Sequence, residues 1–460
     1  MKKDHIYFLG VGGIGMSALA RFFNHEKWCV AGYDRTPSRL TRELESEGIA
    51  IHYEDNLELI PEGFLNSSRC VVVYTPAIPH DLSEKCYFEK NGFEILKRSE
   101  MLGLLSQGKY VIAVAGTHGK TTTSTLVAHL TQEVHKQGNA FLGGISKNFQ
   151  SNLRIAEDDL MTLEADEFDR SFLRLNPNVA VITSADADHL DIYGTHEKMK
   201  EAFSDFVNLI KSDGCLVIRK GVDIKLSNSG ITIYRYAVND VADFYSNNIR
   251  LQKDGCPLFD ITTPFGKICD CRLGIPGMVN IENATAAVAA FLCASKKRNR
   301  DVDIEKLRLA LRSFSGVVRR FDVHVNSPKA MYIDDYAHHP REIAATLCST
   351  REIFPNRKIT ALFQPHLYTR TRDLHEGFSK ALSLADEVVL LPIYPAREEP
   401  IDGVSSEIIA CDISVPCTIT DREHLSKIVS NMDTDIVISF GAGNIDACVT
   451  ELTNAIQKKA

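Results

Sequence analysis

The sequence predicts an α/β protein of three domains built on parallel sheets. Short apolar runs of strand length alternate with helix-like segments, which is typical of a parallel sheet. Two of these runs lead directly into glycine-rich loops, FLGVGGIGMS at residues 8–17 and VAGTHGKTTT at residues 114–123. The chain has 460 residues, which corresponds to two to four domains at roughly 100–200 residues each.

Composition excludes several classes of protein. The net charge is -8 and no basic run exceeds the short KKRNR segment, so no nucleic-acid partner is predicted. The 12 cysteines form no C-x-x-C pair, which excludes a zinc knuckle or a disulfide framework. We find no signal peptide and no apolar stretch of the roughly 18–20 residues that a membrane span needs. A cytoplasmic enzyme is therefore expected.

Three blocks of strands define the predicted domains, with bounds 1–108, 109–318 and 319–460. The first block holds the strands IYFLG, CVAGYD and CVVVYTP, and the second holds YVIAVAG, VAVITS, GCLVIRK and a β-rich stretch over residues 231–273. The helix PGMVNIENATAAVAAFLCA closes the second block. In the third block, MYIDDYAHHP, KITALFQPH, EVVLLPIY and DIVISFGAG are strands that end in polar or glycine turns. Ligands of open α/β sheets bind at such strand ends.

The stretch AGTHGKTTT is predicted to bind a nucleoside triphosphate. A strand, a glycine loop and a helix start direct backbone N–H groups and the helix dipole at phosphates. Lys120 would neutralise the β- and γ-phosphates, and the Thr121 hydroxyl would face Mg²⁺. The full phosphate-loop pattern needs glycine at position 114, where this chain has Val114, so the match is to a shorter variant.

The first loop has the spacing of a dinucleotide fingerprint. Gly10, Gly12 and Gly15 follow a strand, and Asp34 ends the next strand, where it would bind a ribose hydroxyl. The loop recognises only a diphosphate and a ribose, which NAD and a UDP-sugar share. These residues therefore leave the two ligands open.

Two further segments hold candidate metal ligands and a candidate carboxylate site. Glu164 ends one apolar run and His189 follows another, so both are placed to reach a metal beside the phosphate loop, although a surface acid and a structural histidine remain open alternatives. In the third block, polar residues cluster at strand ends, and two arginines near a histidine suit a small carboxylate or phosphate. This cluster comprises Asp335, Tyr336, His338, His339, His366, Arg370 and Arg372.

In this order, the motifs resemble those of the Mur ligases, which are ATP-dependent amide-bond ligases of peptidoglycan synthesis. The resemblance spans Gly10 to Asp446 and rests on GVGGIGMSALA, KRSEML, AGTHGKTTT, EADEFDRSFL, DADHLDIYG, GVVRRFD, DDYAHHPREI, FQPHLYTRTRDL and GAGNID. Several of these are typical of the member that joins L-alanine to UDP-N-acetylmuramate. The resemblance implies a Rossmann-like UDP-binding domain, a central P-loop ATPase domain and a C-terminal Rossmann-like domain for the amino acid.

The resemblance also implies roles for individual residues, with ATP and Mg²⁺ as cofactors and the UDP-sugar and L-alanine as substrates. The UDP-sugar is assigned to Gly12, Gly13, Ile14, Gly15, Met16, Asp34, Thr75 and Arg98. ATP is assigned to Gly116, Thr117, His118, Gly119, Lys120, Thr121, Thr122, Asn280, Asn283, Arg319, Arg320 and Asp335. The metal is assigned to Thr121, Glu164 and His189, and L-alanine to Tyr336, His338, His366, Arg370 and Arg372. The catalytic set implied is Lys120, Glu164, His189, His338 and His366.

This chain departs from the usual family pattern at three positions. Val279 stands where histidine is common near the adenine, Ala337 replaces a glycine, and Leu367 replaces an arginine. Alternatives to an alanine ligase are a sister ligase that recycles peptides onto the same UDP-sugar, an NAD-linked oxidoreductase and a nucleotide-gated switch. A monomer or a homodimer is expected.

Overall fold

The structure is a computed structural model that describes residues 3–187, 190–227, 229–252, 254–396 and 398–460. The chain forms two compact units. The first comprises Met1–Asn247, Ile261–Ile268 and Asn283–Leu311, and the second comprises Asn248–Asp260, Cys269–Glu282 and Arg312–Ala460.

The first sheet is fully parallel and has five strands in the order β3-β2-β1-β4-β5. All five residues of β1 are buried, because helices cover both faces of the sheet. The strands are β1 (His5–Leu9), β2 (Cys29–Tyr33), β3 (Ala50–His52), β4 (Cys70–Tyr74) and β5 (Glu94–Lys97). The helices are α1 (Ile14–His25), α2 (Arg39–Ser46), α3 (Ser83–Lys90) and α4 (Arg98–Ser106).

The second sheet has ten strands in the order β15-β14-β13-β12-β11-β10-β6-β9-β7-β8. Its strands are β6 (Tyr110–Ala115), β7 (Asn139–Ser146), β8 (Ser151–Arg154), β9 (Leu160–Glu164), β10 (Val179–Ile182), β11 (Cys215–Arg219), β12 (Thr232–Val238), β13 (Phe244–Leu251), β14 (Pro257–Thr263) and β15 (Gly266–Arg272). Its helices are α5 (Lys120–Leu130), α6 (Leu190–Tyr193), α7 (His196–Asn208), α8 (Met278–Lys297) and α9 (Ile304–Ser313).

The register of three central strands brings the phosphate-loop residues together. Strand β6 lies between β9 and β10 and is parallel to both, with Val114 opposite Glu164 and Ala115 opposite Ile182. Because the carboxyl ends of parallel strands meet at one edge, the loop after β6 is placed between Glu164 and the residues that follow β10.

Helix α8 is long and apolar enough to cross a membrane by length and composition alone. Its most apolar window is 83% buried inside the protein, with Ala284, Ala287 and Phe291 almost inaccessible to solvent. This is the burial of a core helix, and the apolarity of α8 is explained by packing.

The third sheet has six strands in the order β16-β17-β21-β18-β19-β20, of which only the β16–β17 pair is antiparallel. Its strands are β16 (Asp322–Asn326), β17 (Met331–Asp335), β18 (Ile359–Phe363), β19 (Glu387–Leu390), β20 (Cys417–Ile419) and β21 (Ile436–Phe440). Its helices are α10 (Pro340–Ile353), α11 (Tyr368–Leu382), α12 (Glu407–Ala410), α13 (Arg422–Asn431) and α14 (Val449–Gln457). The predicted α/β class is confirmed, as are the strands predicted in all three blocks.

Candidate active site

The phosphate loop occupies residues 116–119, between β6 and α5. Gly116 has φ of +134°, and a β-carbon there would lie 2.1 Å from Thr183 Oγ1. Gly119 has φ of +79°, and a β-carbon there would lie 2.6 Å from Asn283 Oδ1. Both positions require glycine, since a side chain would be strained and would clash. The result is a tight turn at a helix N-terminus, which suits phosphate binding.

Side chains after β10 hold the middle of this loop. The Thr117 and Ser184 hydroxyls lie 2.8 Å apart, and the His118 N–H donates to Ser184 Oγ over 2.9 Å. The Asp186 N–H donates to Thr117 Oγ1 over 3.2 Å. The hydroxyl of Thr117 is therefore used within the loop, whereas Thr122 lies in the first turn of α5 and is 9% exposed.

Lys120, the first residue of α5, lies against the loop that it would serve. Its Nζ donates to the Gly116 carbonyl over 2.7 Å and to Glu167 Oε1 over 2.8 Å. Burial alone lowers the pKa of Lys120, but the charges of Glu167, Asp166 and Glu164 outweigh it and raise the pKa above its usual value. The ammonium is therefore charged and already directed into the loop.

The predicted metal ligands Thr121 and Glu164 are neighbours. The Thr121 hydroxyl donates to Glu164 Oε1 over 3.1 Å, and the Gly143 N–H donates to Glu164 Oε2 over 3.1 Å. A hydroxyl and a carboxylate are hard oxygen donors of the kind that Mg²⁺ prefers, so the pair fits that ion. The third predicted ligand, His189, lies outside the described residues. Within the described ranges, no group of three or more His, Cys, Asp and Glu residues forms a metal site.

The first glycine loop is closed by the predicted ribose-binding acid. The Gly12 N–H donates to Asp34 Oδ2 over 2.7 Å, and the Thr36 N–H donates to Asp34 Oδ1 over 3.1 Å. Each carboxylate oxygen keeps a further lone pair for a ribose hydroxyl. A β-carbon at Gly15 would lie 2.6 Å from Arg98 Nη1, so the arginine lies directly on the start of α1.

One cavity of about 240 Å³ connects this loop with the carboxylate beside the phosphate loop. Its lining includes Glu164 and Gly143 together with residues assigned to the UDP-sugar, which are Gly13, Ile14, Gly15, Met16, Thr75 and Arg98. Arg98 Nη2 donates to Asp166 Oδ2 over 3.1 Å across the same cavity. A ligand held by the first loop can therefore extend to Glu164 without leaving the cavity.

Arg319 and Arg320, in the second unit, have different surroundings. The Arg319 guanidinium donates to Asp334 Oδ2 over 3.0 Å and to the carbonyls of Gly441 and Gly443. It therefore holds the loop after β21 to the end of β17. Both guanidinium groups also lie over the Tyr336 ring, 5.3 Å from its centre for Arg319 and 5.0 Å for Arg320. Both arginines therefore stay candidates for the phosphates.

Three of the residues predicted to bind L-alanine form a row of rings, namely Tyr336, His338 and His366. The Tyr336 and His338 centroids lie 5.3 Å apart, and those of His338 and His366 lie 6.4 Å apart. The row continues to Tyr394, which stacks on His366 at 5.8 Å. Sequence analysis missed Tyr394, although it follows the strand run EVVLL in the same way that His366 follows KITALF.

The His338 ring has a defined proton arrangement. Its Nδ1 lies 3.0 Å from the Tyr336 carbonyl, which can only accept, so Nδ1 carries the proton and Nε2 presents a lone pair. Burial lowers the pKa of His338, and the charges of Arg370 and Arg320 lower it further against the opposing effect of Glu342. The imidazole is therefore neutral at physiological pH and suited to accept a proton.

Arg370 and Arg372, which are predicted together near L-alanine, have different surroundings. Both residues lie in helix α11, where side chains two positions apart do not face each other. Arg372 is exposed and its Nε donates to Asp373 over 2.8 Å, whereas the charge of Arg370 acts on His338. Of the two arginines, Arg370 is therefore the one whose charge acts on the row of rings.

Asp335 and Asn280 are buried and already hydrogen-bonded. Asp335 accepts from the Thr346 hydroxyl over 2.7 Å, and burial raises the pKa of its carboxyl to about 6. Asn280 donates to the Pro276 carbonyl over 2.6 Å. Val279, the departure from the family pattern, is 37% exposed beside it.

Comparison with known proteins identifies the family. Residues 5–110 match the sequence model described as Mur ligase family, catalytic domain, residues 114–291 match the Mur ligase middle domain, and residues 319–443 match the Mur ligase, glutamate ligase domain. The chain is 48% identical to the UDP-N-acetylmuramate–L-alanine ligase of Parabacteroides distasonis, with 100% of this chain and 98% of that protein covered.

Solved structures agree with the sequence comparison. The crystal structure of the UDP-N-acetylmuramate–alanine ligase MurC from Thermotoga maritima matches with a TM-score of 0.82 and 27% identity, covering 99% of this chain and 100% of that one. A murein peptide ligase from Psychrobacter arcticus shares the fold, with a TM-score of 0.68, 21% identity and 98% of both chains covered. The chain described here belongs to the Mur ligase family.

Proposed function

We propose that this ligase joins L-alanine to the lactyl carboxylate of UDP-N-acetylmuramate and converts ATP to ADP and phosphate. The observation that carries the proposal is the cavity lined by both the first glycine loop and Glu164. UDP-N-acetylmuramate has a diphosphate at one end and a lactyl carboxylate at the other, and the two must bind at different loops. The diphosphate would bind at Gly12–Gly15 and Arg98, and the lactyl carboxylate would reach the phosphate loop. The relative at 48% identity carries the name of this reaction.

The first step makes the carboxylate electrophilic. A lactyl carboxylate oxygen attacks the γ-phosphorus of ATP, the bond to the β,γ-bridging oxygen breaks, and ADP leaves with that electron pair. The barrier is mainly the repulsion of two anions and their alignment, so charge neutralisation and positioning supply most of the catalysis. Lys120 would hold the β- and γ-phosphates, and the N–H groups of residues 116–119 would fix their direction.

Thr121 and Glu164 would hold a Mg²⁺ ion, with His189 as the further ligand that the family resemblance implies. When bound, this ion screens the negative charge on the phosphates and carboxylate. The oxygen donors that lie 3.1 Å apart support this assignment.

The second step forms the amide. The amine of L-alanine attacks the acyl carbon, a tetrahedral oxyanion forms, and the carbon–oxygen bond to phosphate breaks. The amine must lose a proton, and we assign its removal to His338 Nε2 because the Nδ1 proton is held by the Tyr336 carbonyl. Arg370 would bind the alanine carboxylate, and the aromatic row with Tyr394 would limit the size of the side chain.

Phosphate release in the presence of UDP-N-acetylmuramate, ATP and Mg²⁺ tests the proposal. L-alanine should support faster turnover than L-serine or glycine, and the peptide accepted by a recycling ligase should support none. Preference for the tripeptide would replace the proposal with the recycling alternative. Reduction of NAD without phosphate release would assign the first loop to a dinucleotide instead.

A Lys120→Met variant tests the proposed role of the phosphate-loop lysine. The substitution removes the charge and keeps most of the volume, so turnover should fall by at least about 100-fold. Normal alanine-dependent turnover would refute the role.

The cellular location and the domain bounds are also proposals. Recovery of the enzyme in the cytoplasmic fraction tests the proposed location. The bounds 1–108, 109–318 and 319–460 are proposed for the three substrate-binding domains.

A further inference from the structure

Glu167 is a buried acid that the proposed chemistry does not use. It lies three residues after Glu164, at the start of a short 3₁₀ segment over Phe168–Arg174, and its side chain is 1% exposed. Its carbonyl accepts from the Tyr193 hydroxyl over 2.6 Å. Because a charged carboxylate is costly to bury, its presence needs a partner that compensates the charge.

That partner is the phosphate-loop lysine. Both oxygens of Glu167 lie on Lys120 Nζ, at 2.8 Å for Oε1 and 2.7 Å for Oε2. The Gly116 carbonyl accepts from the same ammonium over 2.7 Å. The ammonium has three protons, and its hydrogen bonds to described residues use two of them, one to Glu167 Oε1 and one to the Gly116 carbonyl, so the third can be donated to a ligand.

The contact with Glu167 orders the flexible side chain of Lys120. A lysine side chain has four rotatable bonds, and ordering it at the moment of binding costs conformational entropy. A buried carboxylate beside the ammonium orders the lysine in advance, which raises affinity and aligns the charge before the nucleotide arrives.

The neighbours of Glu167 in the chain act on other cations in the same way. Asp166 accepts from Arg98 over 3.1 Å, and Asp169 accepts from Lys97 over 2.9 Å. Asp169 and Arg170 have φ of 52° and 54°, a strained backbone that surrounding contacts must maintain. The segment 166–170 is therefore built to hold cations at set positions.

We infer that Glu167 is a positioning residue for the ligase reaction, which orients Lys120 toward the phosphates of ATP. The inference rests on the proposed role of Lys120 and adds a residue that acts on the nucleotide through that lysine. Removing Glu167 should therefore affect the nucleotide and the rate, and should leave the UDP-sugar and L-alanine unaffected.

The test is a double-mutant cycle in the full-length enzyme, with β,γ-imidoadenosine triphosphate as the binding probe. Glu167→Gln keeps the shape and removes the charge, and it should lower both the affinity for the probe and kcat by about 10- to 100-fold. The KM values for UDP-N-acetylmuramate and L-alanine should stay close to wild type. Glu167→Asp should recover more activity than Glu167→Ala, because a carboxylate near Lys120 remains.

The cycle separates positioning from a general structural role. In a Lys120→Met background, Glu167→Gln should change the affinity for the probe by less than about twofold, since its target is absent. The inference would be overturned if the two substitutions lowered the affinity for the probe additively, or if Glu167→Gln raised the KM for L-alanine as much as it weakened the probe. Either result would assign Glu167 to folding. Glu305→Gln is the matched control, because Glu305 pairs with Arg308 over 2.8 Å on a surface helix.

Two outcomes distinguish this inference from the proposed function. Normal turnover by Lys120→Met alone overturns the role of the lysine, and the inference fails with it. Normal binding and turnover by Glu167→Gln, beside an inactive Lys120→Met, overturns only the positioning role.

Discussion

A buried acid that contacts the first sheet predicts that the stability of the enzyme falls as the pH rises. Glu84, in helix α3, is fully buried and accepts from the Tyr7 hydroxyl over 2.7 Å. His52 Nε2 lies 2.7 Å from the same hydroxyl and 3.3 Å from Glu84 Oε1. His52 Nδ1–H donates to the Glu54 carbonyl over 2.9 Å, so Nε2 of the neutral ring presents a lone pair to this cluster.

One tyrosine proton cannot satisfy both acceptors, and a proton on Glu84 supplies the second. Burial accordingly raises the pKa of Glu84 from 4.5 to about 7, while the Tyr7 hydrogen bond opposes the shift. A carboxyl whose pKa is raised by folding stabilises the fold fully below its unfolded pKa, and this stability is lost as the pH rises through the folded pKa.

The magnitude follows from the two pKa values. A shift from 4.5 to about 7 corresponds to about 3 kcal/mol over the whole range, of which about 2 kcal/mol is lost between pH 5.5 and pH 8.5. Glu84→Gln keeps an acceptor for Tyr7 and carries no charge. It should therefore destabilise less at pH 8.5 than at pH 5.5 relative to wild type.

Urea unfolding at pH 5.5, 7 and 8.5, followed by tryptophan fluorescence, measures this difference. The single tryptophan, Trp28, lies in the same unit beside Phe23, so it reports on this part of the chain. Glu62→Gln is the control, because Glu62 belongs to the same unit and is exposed to solvent. An identical pH dependence in wild type and Glu84→Gln would refute the argument.

The remaining predictions concern the candidate site. Arg370→Ala should raise the KM for L-alanine about 10- to 100-fold, whereas exposed Arg372→Ala should change it less than about twofold, and equal effects in steady-state kinetics would restore the predicted pair. His338→Gln should lower kcat about 100-fold with a smaller change in KM, and single-turnover assays would show acyl phosphate forming normally. Gly119→Ala should weaken ATP binding measured by calorimetry, because the left-handed φ costs about 1–2 kcal/mol and the new β-carbon displaces Asn283.

Much of the chemistry could be predicted because it depends on contiguous motifs. The strands β1 and β6 are apolar runs that are followed at once by glycine, and the loops after them need few residues to define a phosphate cradle. Glu164 was predicted because it ends a strand, and β9 does end at Glu164. The family resemblance supplied the roles that spacing alone left open between NAD and a UDP-sugar.

Residues that act through distant partners could not be predicted in this way. The contact of Glu167 with Lys120 joins positions 47 residues apart, and the stacking of Tyr394 on His366 depends on two strands lying near each other in the third sheet. The different surroundings of Arg370 and Arg372 follow from helix α11, since residues two positions apart on a helix do not face each other.

The sequence by itself determined the α/β class, the two phosphate-binding loops and the family, because short-range periodicity and local motifs specify these features. The tertiary structure alone decided which charges meet. It directed Lys120 onto Glu167, assigned Arg319 to Asp334, and joined the first loop to Glu164 through one cavity. Strand order and register set these distances, and residues far apart in the chain reach each other only when the sheets form.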